Sequence, residues 1–180
     1  MKGVIANRDA QIVSLKALLT TTQATADQCA LNLKEATGTW TIVYHDGQYK
    51  TIQTSKADSA AKFNAVSSSY AKVLFSPIGR IAAAYGGDEY RAAIVGYAYE
   101  NNLVTPALYG GRWTVSGASI QNFDNESAAR SFYNSQSPAY ARVLVGADGV
   151  VKEKYGDPHW VRHCIGKAYL QDITVNSPTI

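Results

Sequence analysis

The sequence predicts an α+β fold: a long, coiled-coil-like N-terminal helix, then a duplicated hairpin-helix-hairpin-helix unit forming a pseudo-two-fold antiparallel-sheet domain. The first observation is internal repetition. Tyr70-Ala71-Lys72-Val73-Leu74 returns as Tyr140-Ala141-Arg142-Val143-Leu144. At the same offset Gly79, Tyr85-Gly86, Gly96 and Ala98-Tyr99 return as Gly149, Tyr155-Gly156, Gly166 and Ala168-Tyr169, so ten of the thirty positions from Tyr70 to Tyr99 are identical to their partners. With two gaps the match extends upstream. Gly38-x-Trp40-Thr41 answers Gly111-x-Trp113-Thr114, and Ile52-Gln53 with Asp58-Ser59-Ala60-Ala61-Lys62 answers Ile120-Gln121 with Glu126-Ser127-Ala128-Ala129-Arg130. A repeat of about 65 residues is one supersecondary unit that packs against its neighbour. The second observation is a heptad spacing before the repeats, and the third is a turn signal between apolar runs within each repeat.

The chain divides into an N-terminal helix at 1–37, an oligomerisation or docking arm, followed by repeat 1 at 38–107 and repeat 2 at 108–180. Each repeat alone would have a marginal core, so 38–180 is expected to form one pseudo-symmetric domain. In the arm, Ile12, Leu15, Leu19, Thr22, Ala26, Cys29 and Leu33 follow a 3-4-3-4 spacing, with Ala36 continuing it and Ile5 preceding it. Two apolar positions per heptad make the narrow seam of a coiled coil, whereas a helix lying on its own domain usually shows a broader stripe. The β-branched Thr20-Thr21-Thr22 are weak helix formers and leave open whether the helix breaks there.

In repeat 1, residues 40–55 alternate around His45-Asp46-Gly47-Gln48, the pattern of a hairpin. Asp58 then opens a short helix through Phe63 and Ala65. A second hairpin turns at Pro77-Ile78-Gly79, answered in repeat 2 by Gly146-Ala147-Asp148-Gly149. The closing helices start near Asp88 and at Asp157-Pro158, an N-cap followed by proline at the first helical position. In repeat 2 the first hairpin is five residues shorter. Gly96 and Gly166 fall inside the closing helices, where glycine costs about 1 kcal/mol relative to alanine. Its presence in both copies predicts a close helix crossing.

Composition narrows the function classes. The 180 residues carry 17 Lys and Arg against 14 Asp and Glu, a net charge of +3 with mixed signs, and 46% are hydrophobic. No electrostatic footprint for nucleic acid appears, and the stretch containing Lys152, Lys154, Arg162 and Lys167 is interrupted by Glu153 and Asp157. No run reaches the ~18 apolar residues of a membrane span. Two cysteines make no disulfide scaffold. Cys164 aligns with Ile94 and reads as a core residue. These features predict a soluble protein of cytoplasmic synthesis, with incorporation into a particle or filament left open.

Duplication also tests chemistry, because a residue needed by the shared fold should recur in both copies while one serving a single site need not. His159 and His163 lie one helical turn apart with Asp157 upstream, which is half of a metal site. Repeat 1 carries Glu89 and Ala93 at those positions, and Asp157 is already employed as a cap, so no metal and no cofactor are predicted. No Gly-x-Ser-x-Gly elbow or phosphate-binding loop is present, and His163 and Cys164, adjacent in sequence, point to different helix faces. The aromatics Trp40, Trp113, Tyr85 and Tyr155 read first as core or sheet-face residues.

The function expected is therefore a non-catalytic structural or assembly protein. It would pair with itself as a dimer or trimer and contact other structural proteins, as subunits of virion fibres, decoration layers, filaments or shells do. The alternative is a carbohydrate- or peptide-binding module using exposed aromatics at Trp40, Tyr44, Tyr49, Tyr109 and Trp113. A metal-dependent enzyme at His159 and His163 comes third.

Overall fold

A computed structural model describes residues 2–105 and 111–171, with side chains from residue 8 onward. Helix α1 (Lys2–Thr37) is followed by β1 (Trp40–His45), β2 (Tyr49–Thr54), α2 (Lys56–Ala65), β3 (Ala71–Phe75), β4 (Ile81–Tyr85) and α3 (Asp88–Glu100). The second copy supplies β5 (Trp113–Ser116), β6 (Ile120–Phe123), α4 (Glu126–Ser135), β7 (Arg142–Val145), β8 (Val151–Tyr155) and α5 (Pro158–Leu170). Both copies are thus hairpin, helix, hairpin, helix. The sheets run β2-β1-β3-β4 and β6-β5-β7-β8, all antiparallel. A register shift recurs at the same place, between Leu74 and Phe75 in one sheet and between Leu144 and Val145 in the other.

Each central strand is apolar on both sides because each sheet is covered on both faces. Successive strand side chains point to opposite faces, so Val73 and Phe75 enter the central core while Leu74 packs under α2 with Trp40, Ile42 and Phe63. The second copy repeats the division. Val143 and Val145 enter the central core, and Leu144 packs under α4 with Val115, Ala129 and Tyr133. One central core holds residues of both sheets together with Ile94, Val95 and Ala98 of α3 and Val161, Cys164, Ile165 and Ala168 of α5.

Helices α3 and α5 cross antiparallel in the middle of that core. A Cβ placed on Gly96 would overlap the Arg162 carbonyl, and one on Gly166 would overlap the Ala92 carbonyl. Ala92 and Arg162 are themselves equivalent positions of the repeat, so the crossing is symmetric and its backbone contact explains both glycines. Next to it the Tyr99 and Tyr169 rings lie 4.0 Å apart. Each hydroxyl donates to the turn of its own second hairpin, Tyr99 to the Gly79 carbonyl at 2.7 Å and Tyr169 to the Gly149 carbonyl.

The other recurrent pair is a cation under each short helix. Buried Lys72 donates from Nζ to the carbonyls of Phe63 (2.9 Å) and Val66 (2.6 Å), satisfying the end of α2, and lies over the rings of Phe63 and Tyr85. Arg142 takes the same place over Tyr133 and Tyr155 and donates to the Ser137 carbonyl. The retained Tyr85 and Tyr155 are therefore cation-facing sheet aromatics.

Two details of the repeat alignment are corrected by the structure. Trp40 pairs with Thr54 and Trp113 with Phe123, so the first hairpin of the second copy is four residues shorter, and the Ile52-Gln53 match to Ile120-Gln121 is one residue out of register. The short helices align by their caps and buried faces. Ser55 caps α2 and Asn125 caps α4, with Ser59 and Phe63 buried in one and Ala129 and Tyr133 in the other. Ser59-Ala60-Ala61 against Ser127-Ala128-Ala129 is two residues out of step, since buried positions rather than shared small residues fix helix register. Helix α2 also begins at Lys56, ahead of the expected Asp58, because Ser55 accepts from the Asp58 amide at 3.2 Å.

Candidate functional site

Helix α1 is continuous through Thr20-Thr21-Thr22. Their hydroxyls donate back to the carbonyls of Lys16, Ala17 and Leu18 at 2.9–3.0 Å, which satisfies them within the helix. At 1.5 Å per residue the 36 residues span about 54 Å. It joins the domain at its last turns. The Trp40 indole donates to the Glu35 carbonyl at 2.9 Å, and the Glu35 carboxylate lies 3.7 Å from Arg80. Among the described side chains of α1 only Glu35 is partly buried.

All seven seam residues, Ile12, Leu15, Leu19, Thr22, Ala26, Cys29 and Leu33, are consequently exposed, Leu15 at 64% and Leu19 at 69%. Val13 and Leu18 are exposed as well. Leu18 adjoins Leu15 and Thr22 on the helix surface and broadens the seam there, a feature that the strict two-per-heptad count passes over.

The proposed aromatic surface is not brought together. Trp40 is buried at 8% exposure under α2, and its polar tip is spent on Glu35. Trp113 is half-buried against the α4 core. Tyr44 stacks on Tyr70 beside a shallow cleft of about 360 Å³. Tyr49 stacks on Tyr97 with ring centres 4.0 Å apart and planes nearly parallel, and the Arg162 guanidinium lies over both rings. Tyr109 lies outside the described residues.

The histidines do meet. His159 and His163 have ring centres 4.8 Å apart on the first turns of α5, whose N-cap Asp157 accepts from the His159 amide at 2.9 Å. His163 is buried, and its Nδ1 lies 3.1 Å from Glu89 Oε2 of α3. The other Glu89 oxygen holds Lys167 at 2.9 Å. Burial and the neighbouring His159 push the His163 pKa below the usual histidine value, against the pull of Glu89. The Lys167 hydrogen bond holds the Glu89 carboxyl below its ordinary range. No group of three or more metal-ligating side chains occurs among the described residues.

No family model matches this chain, and neither a curated protein nor a solved structure matches it. Chemistry must therefore be read from the residues alone. Cys164 is buried, donates its thiol to the Ala141 carbonyl at 3.4 Å and has its pKa raised by burial, the opposite of an activated nucleophile. Glu89, the partner of His163, was missed by sequence reading because it sits 74 positions away on a different helix. No described helix is long and apolar enough to cross a membrane.

Proposed function

We propose that this chain is a non-catalytic assembly protein that associates with copies of itself through α1 and presents its duplicated domain to protein neighbours, as a subunit of a virion fibre, decoration layer, filament or shell. The observation that supports it is the exposed heptad seam on a helix attached to its domain only at the last turns. Burying a leucine or isoleucine fully is worth about 1.5–3 kcal/mol, and Ile12, Leu15, Leu19 and Leu33 stay 48–69% exposed within one chain, so much of that gain is unrealised. A self-associating parallel coiled coil recovers it with the spacing the seam already has. Recurrent residues such as Gly96 and Gly166, Lys72 and Arg142, and Tyr99 and Tyr169 are all occupied in holding the fold, in keeping with a structural role.

Absolute mass in solution tests the reading. Light scattering of the full chain should give a dimer or trimer, and the full-length double variant Leu15→Asp, Leu19→Asp should give a monomer with unchanged circular dichroism from the domain. A full chain that is monomeric at the highest soluble concentration overturns the proposal.

A further inference from the structure

The two copies differ along their closing helices although these helices occupy equivalent places. Along α5, His159, Trp160, His163, Cys164 and Lys167 stand where α3 carries Glu89, Tyr90, Ala93, Ile94 and Tyr97, with His163 and Cys164 buried and the other three wholly or partly exposed. All but one of these second-copy residues, His159, line a single cleft of about 280 Å³, with Tyr140 and the β5–β6 turn forming the remaining walls. In the first copy the matching place is filled. Tyr97 stacks on Tyr49 and Arg162 covers both. In the second copy the shorter hairpin puts Ala118 at the position of Tyr49, Lys167 replaces Tyr97, and Ala92, the counterpart of Arg162, ends at its β-carbon. Three substitutions and one shortening thus open the same spot that the first copy closes.

The rim of the opening is aromatic. Trp160 and Tyr140 are both 57% exposed, one from the helix and the other from the segment before β7; the first-copy counterpart of Trp160, Tyr90, is exposed as well, at 65%. Behind them are the His163 ring and the Lys167 ammonium. Both already face one carboxylate, because Glu89 holds Lys167 at 2.9 Å and approaches His163 at 3.1 Å, and burial disfavours protonation of that imidazole. An anionic ligand therefore finds no uncompensated cation. Three wall amides are committed, Gly117 to the Ser119 carbonyl, Tyr140 to the Ser137 carbonyl and Ala139 to the Ser137 hydroxyl, which disfavours an added peptide strand. The cleft thus offers two exposed aromatic rings, of which Trp160 also packs against His159 and His163, and a few side-chain donors and acceptors, the usual make-up of a small-ligand site.

We propose that this cleft binds a neutral sugar ring, its C–H face against Trp160 and Tyr140 and its hydroxyls toward His163 and Lys167. The size suits one ring of a longer glycan, the remainder lying outside on the surface. This inference stands independently of self-association through α1, since no residue of the cleft belongs to that helix.

Trp160 provides the reporter, because Trp40 and Trp113 are packed against the cores beneath α2 and α4. The full chain is titrated with cellohexaose, maltohexaose, xylohexaose and chitohexaose while tryptophan emission and heat are recorded. At least one sugar should shift the emission to shorter wavelength with a saturating heat. Lys167→Tyr, which refills the cleft as Tyr97 does in the first copy, and Tyr140→Ala, at an exposed position, should each weaken that binding tenfold or more while circular dichroism is unchanged. Three results overturn the proposal: no heat or shift with any of the four sugars up to their solubility limits; binding that survives both variants; or a response to a proline-rich peptide alone, which would assign the cleft to a protein partner.

Discussion

Val73 and Val143 have no exposed surface, and they occupy equivalent positions in the strands that face the central core. An aspartate at either site buries an unpaired charge among aliphatic side chains, a change that belongs with the largest single-site losses, above about 4 kcal/mol. Val73→Asp and Val143→Asp are each expected to abolish the cooperative thermal transition; a folded variant would place that strand face toward solvent. At His163 the folded-state pKa is lowered, so the unfolded chain takes up a proton that the native state resists. The contribution of this residue is complete above the ordinary histidine pKa of about 6.5 and is lost as pH falls through the lower, native value. His163→Gln should flatten the decline in unfolding free energy between roughly pH 7 and pH 5. Chemical denaturation at a series of pH values measures this, and parallel curves for variant and parent would show that the imidazole does not titrate on unfolding. The position of this histidine and of its neighbour His159 was legible in the sequence, but its burial was not, since that depends on how distant segments pack around α5.

At the scale of elements, the crossing of α3 and α5 gives a prediction opposite to intrinsic propensity. Alanine in place of a mid-helix glycine ordinarily stabilises by about 1 kcal/mol. At Gly96 and Gly166 the new methyl would meet the carbonyl of the facing helix, and overpacking of this kind typically costs 1–3 kcal/mol. Gly96→Ala and Gly166→Ala should therefore both lower the denaturation midpoint, and a raised midpoint would mean that the helices are further apart than described. For α1 the expected outcome concerns Cys29. In a parallel, in-register seam the two Cys29 thiols face each other, so mild oxidation of the full chain should yield a covalent dimer on a non-reducing gel, absent in Cys29→Ser. Oxidised parent chain that runs only as monomer would exclude the parallel arrangement.

At the scale of the whole molecule, duplication accounts for both what is shared and what is not. The pseudo-two-fold brings the closing helices into contact, so each copy completes the other's core, and the paired tyrosines, glycines and sub-helical cations recur because the fold needs them twice. Residues outside that requirement differ between the copies, and on α5 they line the cleft rimmed by Trp160 and Tyr140. Removal of α1 bears on the same scale. A chain beginning at Gly38 loses the Trp40 hydrogen bond to Glu35, a net contribution of about 1 kcal/mol, but none of the central core. It should keep a cooperative thermal transition slightly below that of the full chain; loss of the transition would make α1 a part of the folding unit rather than an attachment to it.

The sequence by itself determined the α+β class, the repeated order of elements, the long N-terminal helix and the helix crossing at Gly96 and Gly166. These rest on local signals, namely periodicity, caps, turn residues and a costly glycine kept in both copies. Only the tertiary structure decided that the Trp40 indole bonds to Glu35, that Tyr49 stacks on Tyr97, that Glu89 sits beside His163 and that the short helices align two residues away from their best sequence match. Which aromatic is exposed and which carboxylate meets which histidine depends on how two helices and two sheets pack. Strand and helix periodicity assigns a residue to a face, whereas the partner on that face comes from a distant part of the chain.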